Sequence, residues 1–315
     1  MAAASTSVES ANPISDGWFS EQFDRHGGNN EILLSCLKEE IAVLEAYYQG
    51  KTSTGDAASA ITRPISNSPA PALGGYSDEI VGLCQLWRVF TDALADWPSD
   101  RFADLVELLK AISEIPDSIH RGEALDDDGK ESLTWNRLPY FSMVWFDKYW
   151  EEPRDIVEKC STDEDKARAK EAYVTQQDST ARLVAAGILQ RRKAFEYMTR
   201  ALWAESEPKG DSDNWSDRSA MRQWILSFYI SAVAAWMERT GHSVYLDLQS
   251  IDIQNRPPPA APSGATKYSD RSREDWSSWK KRLLDVAQNE SDEATKKAVT
   301  AAMETMEAVE KAAEK

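Results

Sequence analysis

The chain has 315 residues, of which 36 are Lys or Arg and 53 are Asp or Glu, so its formal net charge is −17 at pH 7. An acidic surface repels nucleic acids and anionic membranes, and we expect neither as a partner. Hydrophobic residues make up 42% of the chain and include 12 Trp, 10 Tyr and 8 Phe, which is enough for a sizeable core.

The amino-terminal residues and the cysteines both favour a cytoplasmic protein. Residues 1–17 lack the basic and apolar regions of a secretory signal. The most apolar run, Phe228 to Met237, has about half the length of a membrane span. The widely spaced Cys36, Cys84 and Cys160 form neither a disulfide framework nor a metal-binding pair. We therefore expect a cytoplasmic protein without a membrane span.

Helical periodicity dominates the chain. In the first strong example, Leu33, Leu37 and Ile41 recur at the spacing of one face of an amphipathic helix. Gly187 and Gly241 are placed to end two of the later helices. The predicted helices cover residues 31–48, a short segment after Asp56, 77–94, 102–112, 139–150, 162–187, 189–205, 216–241, 276–286 and a segment from Glu293 onward.

These elements predict an all-α single domain of about nine to eleven helices. Strand signals are nearly absent; Val244 to Leu246 is the one short candidate, and a helix is the open alternative there. We expect a disordered tail over residues 1–17, a helical domain over 18–290 and a charged carboxy-terminal helix over 291–315. The Pro-rich stretch 253–270 reads as a flexible linker inside the domain.

Two acidic patterns match the metal-binding spacings of class I terpene cyclases. Asp127 to Glu131 has the D-D-x-x-E spacing, and Asp285, Asn289 and Glu293 recur at every fourth position. Mg²⁺ takes such hard oxygen ligands and neutralises a departing diphosphate. The first run lies in a polar loop, however, and the second pattern arises easily by chance in an acidic helical chain. We therefore interpret both as solvated acidic residues.

Asp147 and Glu151 form a more specific pair. They are four residues apart on the most aromatic predicted helix, among Tyr140, Trp145 and Tyr149. A carboxylate pair in apolar surroundings is costly unless it is ion-paired, metal-bound or turned toward a wet cavity. Both a structural ion pair and a metal site stay open at this point.

Several arginines interrupt the apolar helices. Arg is the residue suited to bidentate contacts with phosphate, so Arg182 and Arg239 are candidates for gripping an anionic ligand. The alternative is that these arginines neutralise the surplus acids of the chain.

Four stretches resemble a fungal all-helical family, first catalogued as a domain of unknown function and later named after the oxopyrrolidine cluster protein G. They cover about residues 30–290. The stretches are Trp135 to Phe141 (WNRLPYF), similar to a W-x-x-L-P-x-F motif, Ala181 to Gly187 (ARLVAAG), Ala234 to Met237 (AAWM) followed by Gly241, His242 and Tyr245, and Arg273 to Arg282 (REDWSSWKKR). The last match is imperfect, because two residues separate its Arg from its first Trp.

The resemblance implies a role in fungal secondary metabolism. The non-standard α-humulene synthases of tropolone sesquiterpenoid pathways are similar to this family, which implies a class I cyclase bundle that converts farnesyl diphosphate with Mg²⁺. The implied catalytic residues are Asp147, Glu151 and Trp236, the first two also as metal ligands. The implied substrate-binding residues are Arg182, Arg239, Trp145, Trp224 and Phe228. The two arginines would grip the diphosphate, and the three aromatic residues together with Trp236 would form the wall of the cavity.

The alternative is a non-catalytic all-helical scaffold or binding protein of a biosynthetic cluster. The two interpretations differ on one structural point. A cyclase needs a deep apolar cavity closed by carboxylates and arginines, whereas a scaffold fills the same volume with side chains. For the cyclase we expect an isoprenoid diphosphate as the substrate, and for either interpretation the sequence leaves a homodimer open.

Overall fold

A computed structural model describes most of the chain. The described residues are 14–15, 17–28, 30–67, 78–116, 134–149, 151–203, 215–250, 273–289 and 292–314. The predicted linker over 253–270, the acidic run Asp127 to Glu131 and most of the predicted tail over 1–17 lie outside them.

The predicted all-α class is confirmed. The described residues form α-helices, short 3₁₀ turns and connecting loops, and they contain no β-strand. They group into two compact units, Met1–Trp150 and Glu151–Lys315, which we call the amino-terminal unit and the carboxy-terminal unit. None of the described helices is long and apolar enough to cross a membrane.

The amino-terminal unit packs its helices around a core rich in Trp and Phe. Its α-helices are α1 (Trp18–His26), α2 (Glu31–Tyr48), α3 (Thr54–Ser66), α4 (Asp78–Asp96), α5 (Phe102–Ser113) and α6 (Phe141–Tyr149), and its 3₁₀ turns are Ser99–Arg101 and Trp135–Arg137. Helix α4 is central, because it packs against α1, α2, α3, α5 and α6. The largest side chains buried in this unit include Trp87, Phe90, Trp135, Phe141 and Trp145.

The carboxy-terminal unit is built around one long helix. Its elements are α7 (Pro153–Lys159), α8 (Asp163–Ala185), α9 (Arg192–Trp203), α10 (Trp215–Ser250), α11 (Arg273–Asn289) and α12 (Glu293–Ala313). Helix α10 contacts all the others of the unit. Cross-helix contacts of Lys166 with Trp224, Tyr173 with Phe228 and Asp178 with Arg239 advance together along both helices, so α8 and α10 run in the same direction.

Helix starts follow local capping chemistry. The side chain of Asn30 accepts hydrogen bonds from the backbone of Ile32 and Leu33 at the start of α2. Thr162 caps α8 and Asp292 caps α12 in the same manner. These side chains satisfy amide groups that have no partner inside the helix.

The predicted helix end at Gly241 is wrong. Gly241 does not end its helix, because α10 continues through it to Ser250. A side chain built at Gly241 would lie 3.8 Å from Val309 and 3.9 Å from Thr305, so this glycine lies where α12 approaches α10. Val244 to Leu246, the strand candidate, also belongs to α10. The short helices α1 and α7 were not predicted individually, because neither spans enough turns to show a clear periodicity.

Candidate functional site along α8 and α10

The residues implied for a cyclase site fall in both units. Trp145 and Asp147 belong to the amino-terminal unit. The carboxy-terminal unit contains Glu151, Arg182, Trp224, Phe228, Trp236 and Arg239. Within that unit, the structure brings the arginines and the aromatic residues together along the seam of α8 and α10.

Trp236 lies at the centre of this seam and has its polar group satisfied. The residue is buried, and its indole N–H donates to Oε1 of Gln177 at 3.1 Å. Its ring stacks on Tyr197 of α9, with ring centres 5.3 Å apart and an angle of 16° between the planes. A satisfied, stacked indole is part of a packed core, so the two rings occupy volume that a cavity would need.

Phe228 and Trp224 continue the same aromatic cluster toward α7. Phe228 is fully buried beside Tyr173, with ring centres 5.6 Å apart, and packs with Ala232. Trp224 lies at the edge of this cluster and is partly buried. The hydroxyl groups of Tyr173 and Tyr197 lie 3.1 Å apart, within hydrogen-bonding distance. The residues implied as a cavity wall are therefore in contact with other side chains.

Three tyrosine hydroxyl groups make this core unusually polar. Burial raises the pKa of Tyr173, of Tyr197 and of Tyr229, in the last case to about 12. All three phenols therefore stay protonated near neutral pH and are available as hydrogen-bond donors. Tyr229 donates to Oε2 of Glu152 at 2.8 Å, and Arg200 forms an ion pair with the same carboxylate. Partly buried polar contacts of this kind can bind a polar group or hold the core in one arrangement.

Arg182 and Arg239 do converge, but they converge on an acid. Nε of Arg239 lies 2.8 Å from Oδ1 of Asp178, and Nε of Arg182 lies 3.9 Å from Oδ2. The hydrogen bond to Asp178 raises the pKa of Arg239. The three side chains are partly exposed, and one carboxylate already offsets part of the charge that a diphosphate would need.

Asp147 and Glu151 belong to different units and have different surroundings. Asp147 is exposed. Burial raises the pKa of the Cys84 thiol, and the nearby negative charge of Asp147 raises it further. Glu151 is exposed and forms an ion pair with Lys159. Within the described ranges, no three or more His, Cys, Asp or Glu side chains cluster in the way that a metal ion needs. The described acids therefore form no ready-made Mg²⁺ site.

Trp145 serves the core of the amino-terminal unit. It is buried between Phe141 and Tyr149, with ring centres 6.4 Å and 4.7 Å away. This unit also has a surface groove of about 490 Å³ between α2 and α3, which is open to solvent. The groove is lined by Glu31, Ile32, Ser35, Cys36, Glu39, Arg63, Pro64 and Asn67, and by none of the implied site residues.

Sequence analysis missed the strongest charged cluster of the amino-terminal unit. Asp92 of α4 has only 3% of its side chain exposed and is surrounded by Arg25, His26 and Lys148. Burial opposes its charged form, but the hydrogen bonds from His26 and Lys148 outweigh that effect and lower the pKa of Asp92 far below its usual range. The sequence did contain a signal for this cluster. Asp92 lies inside the mainly apolar segment Val89 to Leu94, and a carboxylate buried there needs positively charged or hydrogen-bonding partners.

The comparisons with known proteins identify a family. The model of the family described as "Protein of unknown function (DUF3632)" matches residues 87–283, which is more than half of the chain. The chain belongs to this family. No curated protein and no solved structure matches it.

The family match covers Asp92, the WNRLPYF stretch and the α8–α10 seam. In that stretch, the indole N–H of Trp135 donates to Oγ of Ser66 at 3.0 Å. The indole N–H of Trp87, the first matched residue, donates to the carbonyl of Pro139 at 2.6 Å. Leu138 and Tyr140 have φ values of 46° and 64°, so the turn uses a backbone conformation that is rare for such residues. These contacts give the motif a structural role in joining α3, α4 and α6.

Proposed function

We propose that this chain is a non-catalytic, all-helical binding protein that serves a fungal biosynthetic cluster. The setting rests on the resemblance to the oxopyrrolidine cluster protein G family. The single observation that carries the non-catalytic assignment is the packing of Trp236, which is stacked on Tyr197 and hydrogen-bonded to Gln177. A cyclase pocket needs that volume free for a folded isoprenoid chain.

Direct assay with a substrate tests this proposal. Purified protein is incubated with farnesyl diphosphate, with and without Mg²⁺, and the products are analysed by gas chromatography–mass spectrometry. We expect no hydrocarbon product and no shift of the unfolding temperature by farnesyl diphosphate, because the aromatic cluster leaves no room for its chain. A Mg²⁺-dependent hydrocarbon would contradict the proposal.

A packing experiment tests the same proposal without a substrate. Phe228→Ala should lower the free energy of unfolding by about 3–5 kcal/mol, as expected for a filled core position. Phe228→Leu is the matched control and should cost about 1 kcal/mol, because most of the buried volume is kept. A residue that lined an open cavity would tolerate both changes with little loss, and that result would favour a pocket.

A second candidate is a sesquiterpene cyclase that makes a hydrocarbon such as α-humulene. It is favoured by the positions of Arg182 and Arg239, which both contact Asp178. Asp178 directly follows Gln177, the hydrogen-bond partner of Trp236. In this candidate the arginines hold the diphosphate and the aromatic cluster opens when substrate binds.

The cyclase candidate makes its own prediction about Asp147. Asp147→Ala should abolish any Mg²⁺-dependent turnover while leaving the thermal transition nearly unchanged, because the side chain is exposed. Glu151→Ala is the companion variant and should behave in the same way. Turnover that survives both changes would remove these acids from the candidate mechanism.

A further inference from the structure

Helix α1 is attached to the amino-terminal unit by a few polar contacts. The indole N–H of Trp18 donates to Oδ2 of Asp96 at 3.0 Å. At the other end of the helix, Arg25 and His26 lie 2.8 Å and 2.9 Å from Oδ2 of Asp92. Because Phe19 packs on Tyr48 and Gly27 lies against Leu34, α1 runs antiparallel to α2.

The seam beneath α1 contains buried polar atoms that have no hydrogen-bond partner. Gln22 of α1 is 0% exposed, and both atoms of its amide group are unpartnered. Oε1 of Gln85, Oε1 of Glu40 and the indole N–H of Trp97 are unpartnered as well. The described chain shows no other buried side-chain N or O atoms of this kind.

Two of these residues, Gln85 and Trp97, contact α1 directly. Nε2 of Gln85 donates to the backbone carbonyl of His26 at 3.0 Å, so its other amide atom lies at the end of α1. The ring of Trp97 lies 6.1 Å from that of Trp18.

An unpartnered buried polar atom disfavours the state that buries it. In water the amide groups of Gln22 and Gln85 have hydrogen bonds, and docking of α1 removes them without a replacement from the described protein groups. The aromatic contacts and the ion pairs at Asp92 work in the opposite direction. Docking of α1 is therefore a balance of opposing contributions.

We propose that α1 is a displaceable strap, which lifts from α2 and α4 as one cooperative unit while the rest of the amino-terminal unit stays folded. Lifting hydrates Gln22 and Gln85 and uncovers Trp97. The proposal is independent of the proposed function, since it concerns a conformational device in the amino-terminal unit.

Hydrogen exchange on the full-length protein tests the strap directly. The amides of residues 22–27 should all exchange with one common opening constant, about 100-fold or more above that of the α4 core amides. Ordinary fraying of a chain end would instead give a gradient that rises toward residue 18. Such a gradient, or exchange of α1 and α4 at the same rate, would overturn the proposal.

A pair of matched variants tests the cause. Gln22→Leu removes the unpartnered side-chain amide. It should slow exchange of the backbone amides of α1 about tenfold, because the free energy lost by burying an unsatisfied polar group corresponds to about a tenfold change in the opening equilibrium. Gln177→Leu is the control, because Gln177 is equally a buried glutamine but its Oε1 accepts from Trp236. The control should speed exchange in its own unit. Faster exchange of α1 in Gln22→Leu would overturn the assignment of the amide as unsatisfied.

A third variant reports on the ion pairs at a side chain that lies largely outside the core. Arg25 has 55% of its side chain exposed, so Arg25→Gln removes a contact to Asp92 without opening a cavity. We expect exchange of the α1 amides to rise about threefold at low salt, and much less at high salt, because salt screens a partly exposed pair. Unchanged exchange in α1 at low salt would show that the ion pair does not hold the strap.

Discussion

Glu40 on α2 illustrates a single residue whose protonation state is decided by burial. The side chain is almost fully buried, and burial together with the nearby charge of Glu39 raises its pKa well above the usual range. A raised pKa in the folded state means that the contribution of this group to stability is present at acidic pH and is lost as the pH rises through the folded pKa.

The first prediction concerns this residue. Glu40→Gln should match the wild type in its free energy of unfolding at pH 4, and should become the more stable protein as the pH rises to 8. The reason is that the wild type must then either bury a charge or keep a proton that the unfolded chain has released. Urea unfolding at several pH values measures the difference. A difference that does not vary with pH would contradict the prediction.

Asp92 and Asp178 give the opposite case, in which cations surround a carboxylate. Asp92 has 3% of its side chain exposed, whereas Asp178 has 26% exposed. Removing the charge of a buried partner leaves its cations uncompensated, while an exposed pair is weakened by solvent.

The second prediction uses this pair as a matched test. Asp92→Asn should lower the free energy of unfolding by about 3 kcal/mol at pH 7, and Asp178→Asn by about 0.5 kcal/mol. Because the folded pKa of Asp92 is lowered, its stabilisation is present above the unfolded pKa of about 3.9 and is lost as the pH falls below it. The difference in free energy of unfolding between Asp92→Asn and the wild type should therefore become smaller as the pH is lowered. Equal costs for the two variants would contradict the contrast in burial.

At the scale of elements, the end of α8 depends on one glycine. Gly187 has a φ of +80°, a conformation that disfavours residues with a side chain. Its backbone N–H donates to the carbonyl of Val184, and that of Ile188 donates to the carbonyl of Leu183, each at 3.0 Å. This pair of bonds is the Schellman termination of a helix, and it agrees with the predicted joint at this glycine.

The third prediction follows from that backbone conformation. Gly187→Ala should lower the free energy of unfolding by about 1 kcal/mol, although a methyl group would meet no atom within 4 Å. Gly187→Asn is the control and should lose about half as much, since Asn tolerates this conformation better. Thermal unfolding of both variants measures the effect. Stabilisation by Ala would mean that the helix ends in another way in solution.

At the scale of the whole molecule, each unit has a core of its own. In the carboxy-terminal unit, α12 places Val299, Ala302 and Met306 in a buried face against α10 and α11. Such a face is part of the core of the unit, because its burial removes apolar surface from water.

The fourth prediction concerns this unit as a fragment. Residues 151–315 expressed alone should give a helical circular dichroism spectrum and a cooperative unfolding transition, because the unit buries its own aromatic core. The control fragment, residues 151–291, lacks α12 and exposes the face of α10 that it covers, so it should lose cooperativity. A fully unfolded longer fragment would show that the unit does not fold independently.

Sequence periodicity by itself determined most of the helices and several of their ends. Helix formation is local, since residues three and four positions apart share a face and a capping side chain acts on the next turn. That is why α2, α5, α8 and the joint at Gly187 could be predicted, while the seven-residue α7 could not. The prediction for Gly241 was wrong because the sequence does not distinguish a glycine that allows two helices to approach each other from a glycine that ends a helix.

Only the tertiary structure decided which side chains meet. Arg25 and Lys148 are 67 and 56 residues away from Asp92, and no local pattern places them on the same carboxylate. The same applies to Trp236, whose aromatic character suggested a cavity wall until its contacts with Gln177 and Tyr197 showed a filled core. Local periodicity determines which face of a helix is apolar. The orientation and distance at which the helices pack determine whether those faces line a cavity or fill it with side chains.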